Sequence, residues 1–218
     1  MTMNAEEVAI VDRVIRSRAT KKFLADEPLS SDIDRETISD IIELANVGPV
    51  HLTASKTHRK DEDDSILPWR FYVLESMDCR SLRDLLLSQG DQTKIPNMLA
   101  AACALIQVTW LPDPPESGRE GLLYDPTIEN MEHIAAGSAA IQNMLIGATA
   151  RSVRSYWSSG GALRSEAVFS WLDIPKDEIL LGSVFLFPRD ETLCKVAPGK
   201  LRDKRGDTSQ FVKWVNFY

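Results

Sequence analysis

The chain has 218 residues, 44% of them hydrophobic and 26% charged, with a formal net charge of −7. That balance is ordinary for a globular protein with a sizeable core and excludes extensive disorder. The acidic total argues against a nucleic-acid partner, which needs a basic excess on one face, and no apolar run approaches the ~20 residues of a membrane-crossing helix.

Asn4 and Glu7 have the spacing of a capping box, and Val8, Val11 and Ile15 then fall on one helix face. A basic stretch, Arg16 to Phe23, leads past Pro28 to a second helix whose Ile38, Ile41, Ile42 and Ala45 follow the 3.6-residue period. That helix is expected to end near Gly48-Pro49. Residues 51–66 are polar and include Asp61-Glu62-Asp63-Asp64, which reads as an exposed loop. Arg70–Leu74 is predicted as a strand, Leu82, Leu85 and Leu86 lie on a helix, and Ala101–Trp110 is predicted as a buried strand.

Pro112, Pro114 and Pro115 interrupt the chain before a long helix, capped by Asp125, that starts at Pro126 and runs to about Ala150. Its small residues, Ala135 to Ala140, suit close approach of another element. A short strand, Val153–Trp157, precedes the turn Ser158-Ser159-Gly160-Gly161. A helix through Val168, Phe169 and Leu172 and a strand Ile179–Phe187 complete the periodic part. Residues 188–218 have no strong periodicity and end in Phe211, Trp214, Phe217 and Tyr218, aromatics expected to dock on a second subunit. Helices outnumber unevenly spaced strands, which favours α+β over a doubly wound sheet.

Cys79, Cys103 and Cys194 are odd in number and far apart, without disulfide or metal spacing, and reduced thiols suit the cytoplasm. The acidic N-terminal residues show no secretory leader pattern. His51 and His58 are expected in solvent, His133 in a structural hydrogen bond, and no metal site is foreseen. Ser158 and Ser159 lack a recognisable His–Asp partnership, so no hydrolase triad is expected.

Two segments reverse the acidic background. Arg13, Arg16, Arg18, Lys21 and Lys22 lie together near one end, and Lys195, Lys200, Arg202, Lys204, Arg205 and Lys213 face only Asp203 and Asp207 near the other. If they met, they would hold a phosphate dianion through charge-assisted hydrogen bonds. By composition alone they suit two solvated faces better.

Ser17-Arg18-Ala19-Thr20-Lys21-Lys22-Phe23 resembles the N-terminal signature of nitroreductase-like flavoproteins, R-[RH]-[SA]-x-[RK]-x-F. Arg18 and Lys21 match it; Ser17 stands where the first Arg is usual, with Arg16 one residue earlier. Pro68-Trp69-Arg70-Phe71-Tyr72-Val73, the Gln142-Asn143 helix, Tyr156 to Gly161, Leu172-Asp173-Ile174-Pro175 and Leu181-Gly182 resemble further landmarks in the same order. Arg205 before Phe211-Val212-Lys213-Trp214 resembles the family's C-terminal phosphate-reaching Arg.

The resemblance implies one nitroreductase-like domain over residues 1–218: an α+β fold with a central mixed or antiparallel sheet flanked by helices. It implies an intertwined homodimer, with 51–66 as a charged insertion gating the pocket and 188–218 as a tail on the partner subunit. It implies FMN held by Arg16 or Ser17, Arg18, Lys21 and Arg205 at the phosphate, with Ser159, Gly160 and Gly161 against the ring. Lys22, one residue off the motif, is expected outside the grip. Ser65 and Leu67 occupy the places of the family's flavin-contacting Asn and Gln, and Leu67 has no amide to offer. The implied activity is ping-pong reduction of a small organic substrate, nitroaromatic or quinone-like, by NAD(P)H, with no catalytic side chain required. The departures leave two other readings open: a flavin-binding or flavin-lost sensor or scaffold dimer, and a specialised flavin-dependent oxidase or dehydrogenase of one metabolite.

Overall fold

The structure, a computed structural model, describes residues 2–59, 65–115 and 122–217. Helix α1 (Ala5–Ser17) opens on the capping box: the Asn4 side chain accepts from the Glu6 and Glu7 amides, and the Glu7 carboxylate accepts from the Asn4 amide at 2.7 Å. Strand β1 (Lys21–Leu24) follows, then α2 (Arg35–Glu43), capped by Asp34. The middle of the chain supplies β2 (Trp69–Glu75), α3 (Ser76–Ser88), α4 (Ile95–Ala101) and β3 (Ala104–Trp110). The last part supplies α5 (Ile128–Ala150), β4 (Arg154–Ser158), α6 (Glu166–Trp171), β5 (Ile179–Phe187) and β6 (Lys195–Pro198).

Four strands form an antiparallel sheet in the order β2-β3-β5-β4. Every residue of β3 is buried, because apolar layers cover both faces. On one face, Ile106, Val108 and Val184 pack with Ile38 and Ile41 of α2 and Ala140, Ile141 and Met144 of α5. On the other, Leu105, Phe185 and Phe187 pack with Leu82 and Leu86 of α3, Met98 and Leu99 of α4 and Val168 of α6. Successive residues of a strand point to opposite faces, so one apolar strand serves both layers.

The small residues of α5 are used within the chain. A methyl group on Gly147 would meet the end of the Leu44 side chain, so the turn after α2 packs closely on this helix. Ala136, Ala140, Ile141, Met144 and Ala148 are covered by their own chain, while Ile128 and Met131 are exposed.

Four sequence expectations need correction. The run read as one strand from Ala101 is divided: the short helix α4, with Pro96 in its first turn, ends at Ala101, before β3 begins at Ala104. A continuous apolar run does not distinguish helix from strand by period. Helix α5 starts at Ile128, because the Thr127 hydroxyl caps it by accepting from the Asn130 amide at 3.2 Å. The tail contains β6, which pairs with β1 in a second, two-stranded sheet. His58 is not solvated: its side chain is 7% exposed, and its Nε2 donates to the Pro112 carbonyl at 2.8 Å.

Of the 51–66 segment, residues 60–64 lie outside the described residues, including the acidic run 61–64. The remainder is tied down by Ala54 N–H to the Ile66 carbonyl at 2.9 Å and by Arg59 to the Ala54 carbonyl. Beyond β6 the described side chains are exposed, with Phe211 at 69%, Trp214 at 88% and Phe217 at 97%. Among the described residues, no helix is long and apolar enough to cross a membrane.

Candidate functional site

The two-stranded sheet brings the two basic segments together. Its antiparallel register pairs Lys21 with Pro198, Lys22 with Ala197, Phe23 with Val196 and Leu24 with Lys195. The Gly199 amide extends the contact by donating to the Thr20 carbonyl at 2.7 Å. A methyl group on Gly199 would meet that oxygen at 3.0 Å, which makes the crossing tight.

Parity then sorts the basic side chains. Extended residues alternate faces, and Phe23 is buried in the core. The even positions, Arg18, Thr20 and Lys22, line a cavity of about 480 Å³ with Lys94, Tyr156, Gly199, Lys200 and Arg205. The odd positions, Ser17, Ala19 and Lys21, line a separate 90 Å³ cleft beside Arg154. In the larger cavity the Arg18 guanidinium donates to the Thr20 hydroxyl at 3.4 Å, and the Lys22 ammonium sits 5.3 Å from the centre of the Tyr156 ring. Among the described residues, five cations line this space and no carboxylate does.

Lys21 stands on the other face. Its ammonium is 3.2 Å from Glu191, whose carboxylate also meets Arg154 at 3.1 Å. Lys22, expected outside the grip, takes the place beside Arg18 and Arg205. The signal was present in the sequence: residues four apart on an extended chain share a face, and residues three apart do not. Ser17 also points away, its hydroxyl donating to the Val14 carbonyl at 2.9 Å, and Arg16 lies exposed in the last turn of α1.

The turn after β4 lies on the strand that carries Tyr156. Gly160 has φ +108° and Gly161 φ +57°, a left-handed pair that a side chain would strain. Arg164 holds the turn, donating to the carbonyls of Ser159 and, at 2.5 Å, Leu180. On its other side Gly161 faces Ile95, the residue after Lys94. Ser159, Gly160 and Gly161 therefore stand next to the elements that build the cationic cavity.

Ser65 and Leu67 do not. They precede β2, the sheet edge opposite β4, three strand spacings or about 14 Å away. Leu67 packs on the α2–α5 layer, and its amide donates to the Ser65 hydroxyl at 3.4 Å. Within one chain they cannot reach a ligand lying along Tyr156 and Gly160.

One polar group was not foreseen. Glu178 is 7% exposed at the junction of two further cavities, of about 660 and 380 Å³. Its carboxylate accepts from the Tyr72 hydroxyl at 2.8 Å and from the Thr109 hydroxyl. Burial pushes its pKa above the ordinary carboxylate value, against the lowering by those two hydroxyls, and burial together with the Glu178 charge pushes the Tyr72 phenol up as well. His133, expected in a structural hydrogen bond, is 1% exposed with neither ring nitrogen partnered among the described residues.

No family model and no curated protein sequence matches the chain. Solved structures do. A nitroreductase-like family protein from Bacillus cereus superposes over 100% of both chains with a TM-score of 0.66 at 18% identity. The fold is nitroreductase-like. A Desulfovibrio desulfuricans protein solved in complex with FMN aligns over 100% of both chains, with a TM-score of 0.59 and 19% identity. A Bacteroides fragilis nitroreductase with bound FMN covers 98% of this chain and 100% of its own, with a TM-score of 0.51 and 16% identity. The nitroreductase-like fold here is an α+β arrangement in which the sheet pairings among the described residues are antiparallel.

Proposed function

We propose that this protein is an FMN-dependent oxidoreductase that uses NAD(P)H to reduce a small organic substrate, nitroaromatic or quinone-like, as a cytoplasmic homodimer. The carrying observation is the cavity where Arg18, Lys22 and Arg205 converge from opposite ends of the chain, lined by no carboxylate among the described residues. That donor set fits a phosphate monoester, which carries about −1.5 to −2 charge. In this reading Thr20 adds a hydroxyl, Tyr156 an aromatic wall, and Ser159-Gly160-Gly161 a turn without side chains where a flat ring would lie. FMN would supply the electron transfer itself; the chain's own residues anchor it, orient it and leave one face open for donor and acceptor in turn.

A second copy completes the reading. Ser65 and Leu67 stand at the far sheet edge, and the tail leaves Phe211, Trp214 and Phe217 in solvent. Exposed aromatic area on this scale marks an interaction surface. In a two-fold dimer, the tail of one protomer would cover its partner, and the partner's β2 edge would close the site. This arrangement leaves the 51–59 segment, packed on Pro112, as a wall rather than a gate over its own chain's cavity.

The test is the visible spectrum of the purified protein, followed by anaerobic addition of NADH or NADPH. The expected result is a yellow protein that bleaches on addition of donor and elutes as a dimer. A colourless protein that takes up no FMN on reconstitution would favour a flavin-lost scaffold instead.

A further inference from the structure

Glu178 is buried, yet it lines two cavities of opposite character. The larger, about 660 Å³, has Phe169, Ile174, Ile179 and Leu180 in its wall, and its size falls among small-molecule sites, ~300–1,000 Å³. The other, about 380 Å³, carries His58, Arg70, Tyr72 and Asp177. A carboxyl group that reaches an apolar chamber on one side and a polar one on the other is placed to pass a proton between them. Its partners suit both of its forms: the Tyr72 and Thr109 hydroxyls donate to a carboxylate, and a hydroxyl turns to accept from a carboxylic acid. Burial and the neighbouring Asp177 favour the protonated form, against Arg70 and the two hydroxyls. Lys176 lines the larger cavity beside Glu178, and Arg164, Glu166 and Asp173 are the other charged groups of that wall.

The larger cavity also reaches the glycine turn. Arg164 and Leu180 line it, and a methyl group on Gly160 would meet their side chains at 2.9 and 2.7 Å. Leu180 is two residues from Glu178, about 6.6 Å along an extended chain. A six-membered ring with an oxygen at each end fills a gap of that order.

We propose that the larger cavity receives a quinone-like acceptor and that Glu178 is the acid that protonates its far oxygen. The inference rests on the flavin reading and names the acceptor and its proton donor. The acceptor takes a hydride from the reduced cofactor at the end beside the glycine turn. At the other end the Glu178 O–H bond breaks and an O–H bond forms on the acceptor's carbonyl oxygen, so the product leaves as the hydroquinone. Glu178 is left as a carboxylate and regains a proton from water through the polar cavity. NAD(P)H supplies the two electrons. General acid catalysis of this kind contributes about a hundredfold or more.

The FMN-loaded protein is assayed with 1,4-benzoquinone and with ferricyanide, which takes one electron and no proton and so serves as the internal reference. Glu178→Gln, which keeps the shape of the side chain, is expected to lower the quinone/ferricyanide ratio of kcat/KM by about a hundredfold. In the wild type that ratio falls as pH rises and Glu178 ionises; in Glu178→Gln it is expected to be flat. A second readout uses the flavin-free protein, titrated anaerobically with hydroquinone by calorimetry. Ser170→Trp, a substitution at an exposed residue that lines the cavity, is expected to weaken hydroquinone binding about tenfold or more. A yellow protein whose ratio is the same in Glu178→Gln overturns the inference alone, as does hydroquinone binding that Ser170→Trp leaves intact. A colourless protein that takes up no FMN fails the flavin reading, and the proton step with it.

Discussion

The two sheets of this molecule are built on opposite terms. The four-stranded sheet is a hydrophobic object: β3 is buried along its whole length, and Phe185 and Phe187 stack in parallel on one face with centroids 5.8 Å apart. The two-stranded sheet is short and half-buried, and it is made of segments rich in lysine. The first holds the fold; the second joins the chain's ends and places like charges around a cavity. Like charges brought together oppose folding unless an anion joins them, so an anion bound beside the second sheet would stabilise the protein.

The comparison breaks most visibly in the large sheet. Phe185→Ala removes a fully buried ring and is expected to cost about 3–5 kcal/mol in urea unfolding. A loss below about 1 kcal/mol would mean that this core is not the one that carries stability. The small sheet should respond in the other currency. Arg18→Ala and Arg205→Ala are expected to weaken FMN binding by about ten- to a hundredfold each in a fluorescence titration, since charge-assisted bonds to phosphate are lost. Unfolding of the flavin-free proteins should hardly change. Variants that bind flavin as the wild type does would return these residues to solvated faces.

Glu178 gives a smaller, pH-dependent signal in the large sheet. Its folded pKa is raised from the ordinary 4.5 by burial, so the native state holds this proton more tightly than the unfolded chain. Between 4.5 and the raised value, stability attributable to Glu178 therefore falls as pH rises. Glu178→Gln is expected to flatten that slope in thermal melts taken from pH 4.5 upward. A slope unchanged by the substitution would mean that Glu178 ionises as freely as in the unfolded chain.

What was legible in the sequence follows the same division. The limits of β5, Ile179–Phe187, the capping box at Asn4 and the apolar faces of α2 and α3 were readable, because burial imposes a period on side chains. β1 and β6 were not: each is four residues long, with no apolar alternation to mark it, and their pairing spans most of the chain. The basic clusters were visible as composition, but which lysine lines the larger cavity follows from the alternation along the strand. Glu178 gave no signal, because its burial depends on Tyr72 and Thr109 arriving from two other strands. Leu67 shows the converse: its departure from the flavin-contacting pattern was plain, but its place at the far sheet edge is a matter of strand order.

The central claim is that the pairing of β1 with β6 presents the even-numbered basic face to the cofactor phosphate. The direct measurement is the FMN dissociation constant of Lys22→Ala beside that of Lys21→Ala, both as flavin-free proteins titrated at the same ionic strength. The account expects Lys22→Ala to bind FMN about tenfold more weakly. Lys21→Ala, which loses only the pairing to Glu191, should stay within about twofold of the wild type. The reverse order, with Lys21 the sensitive position, would contradict the register on which the site is built.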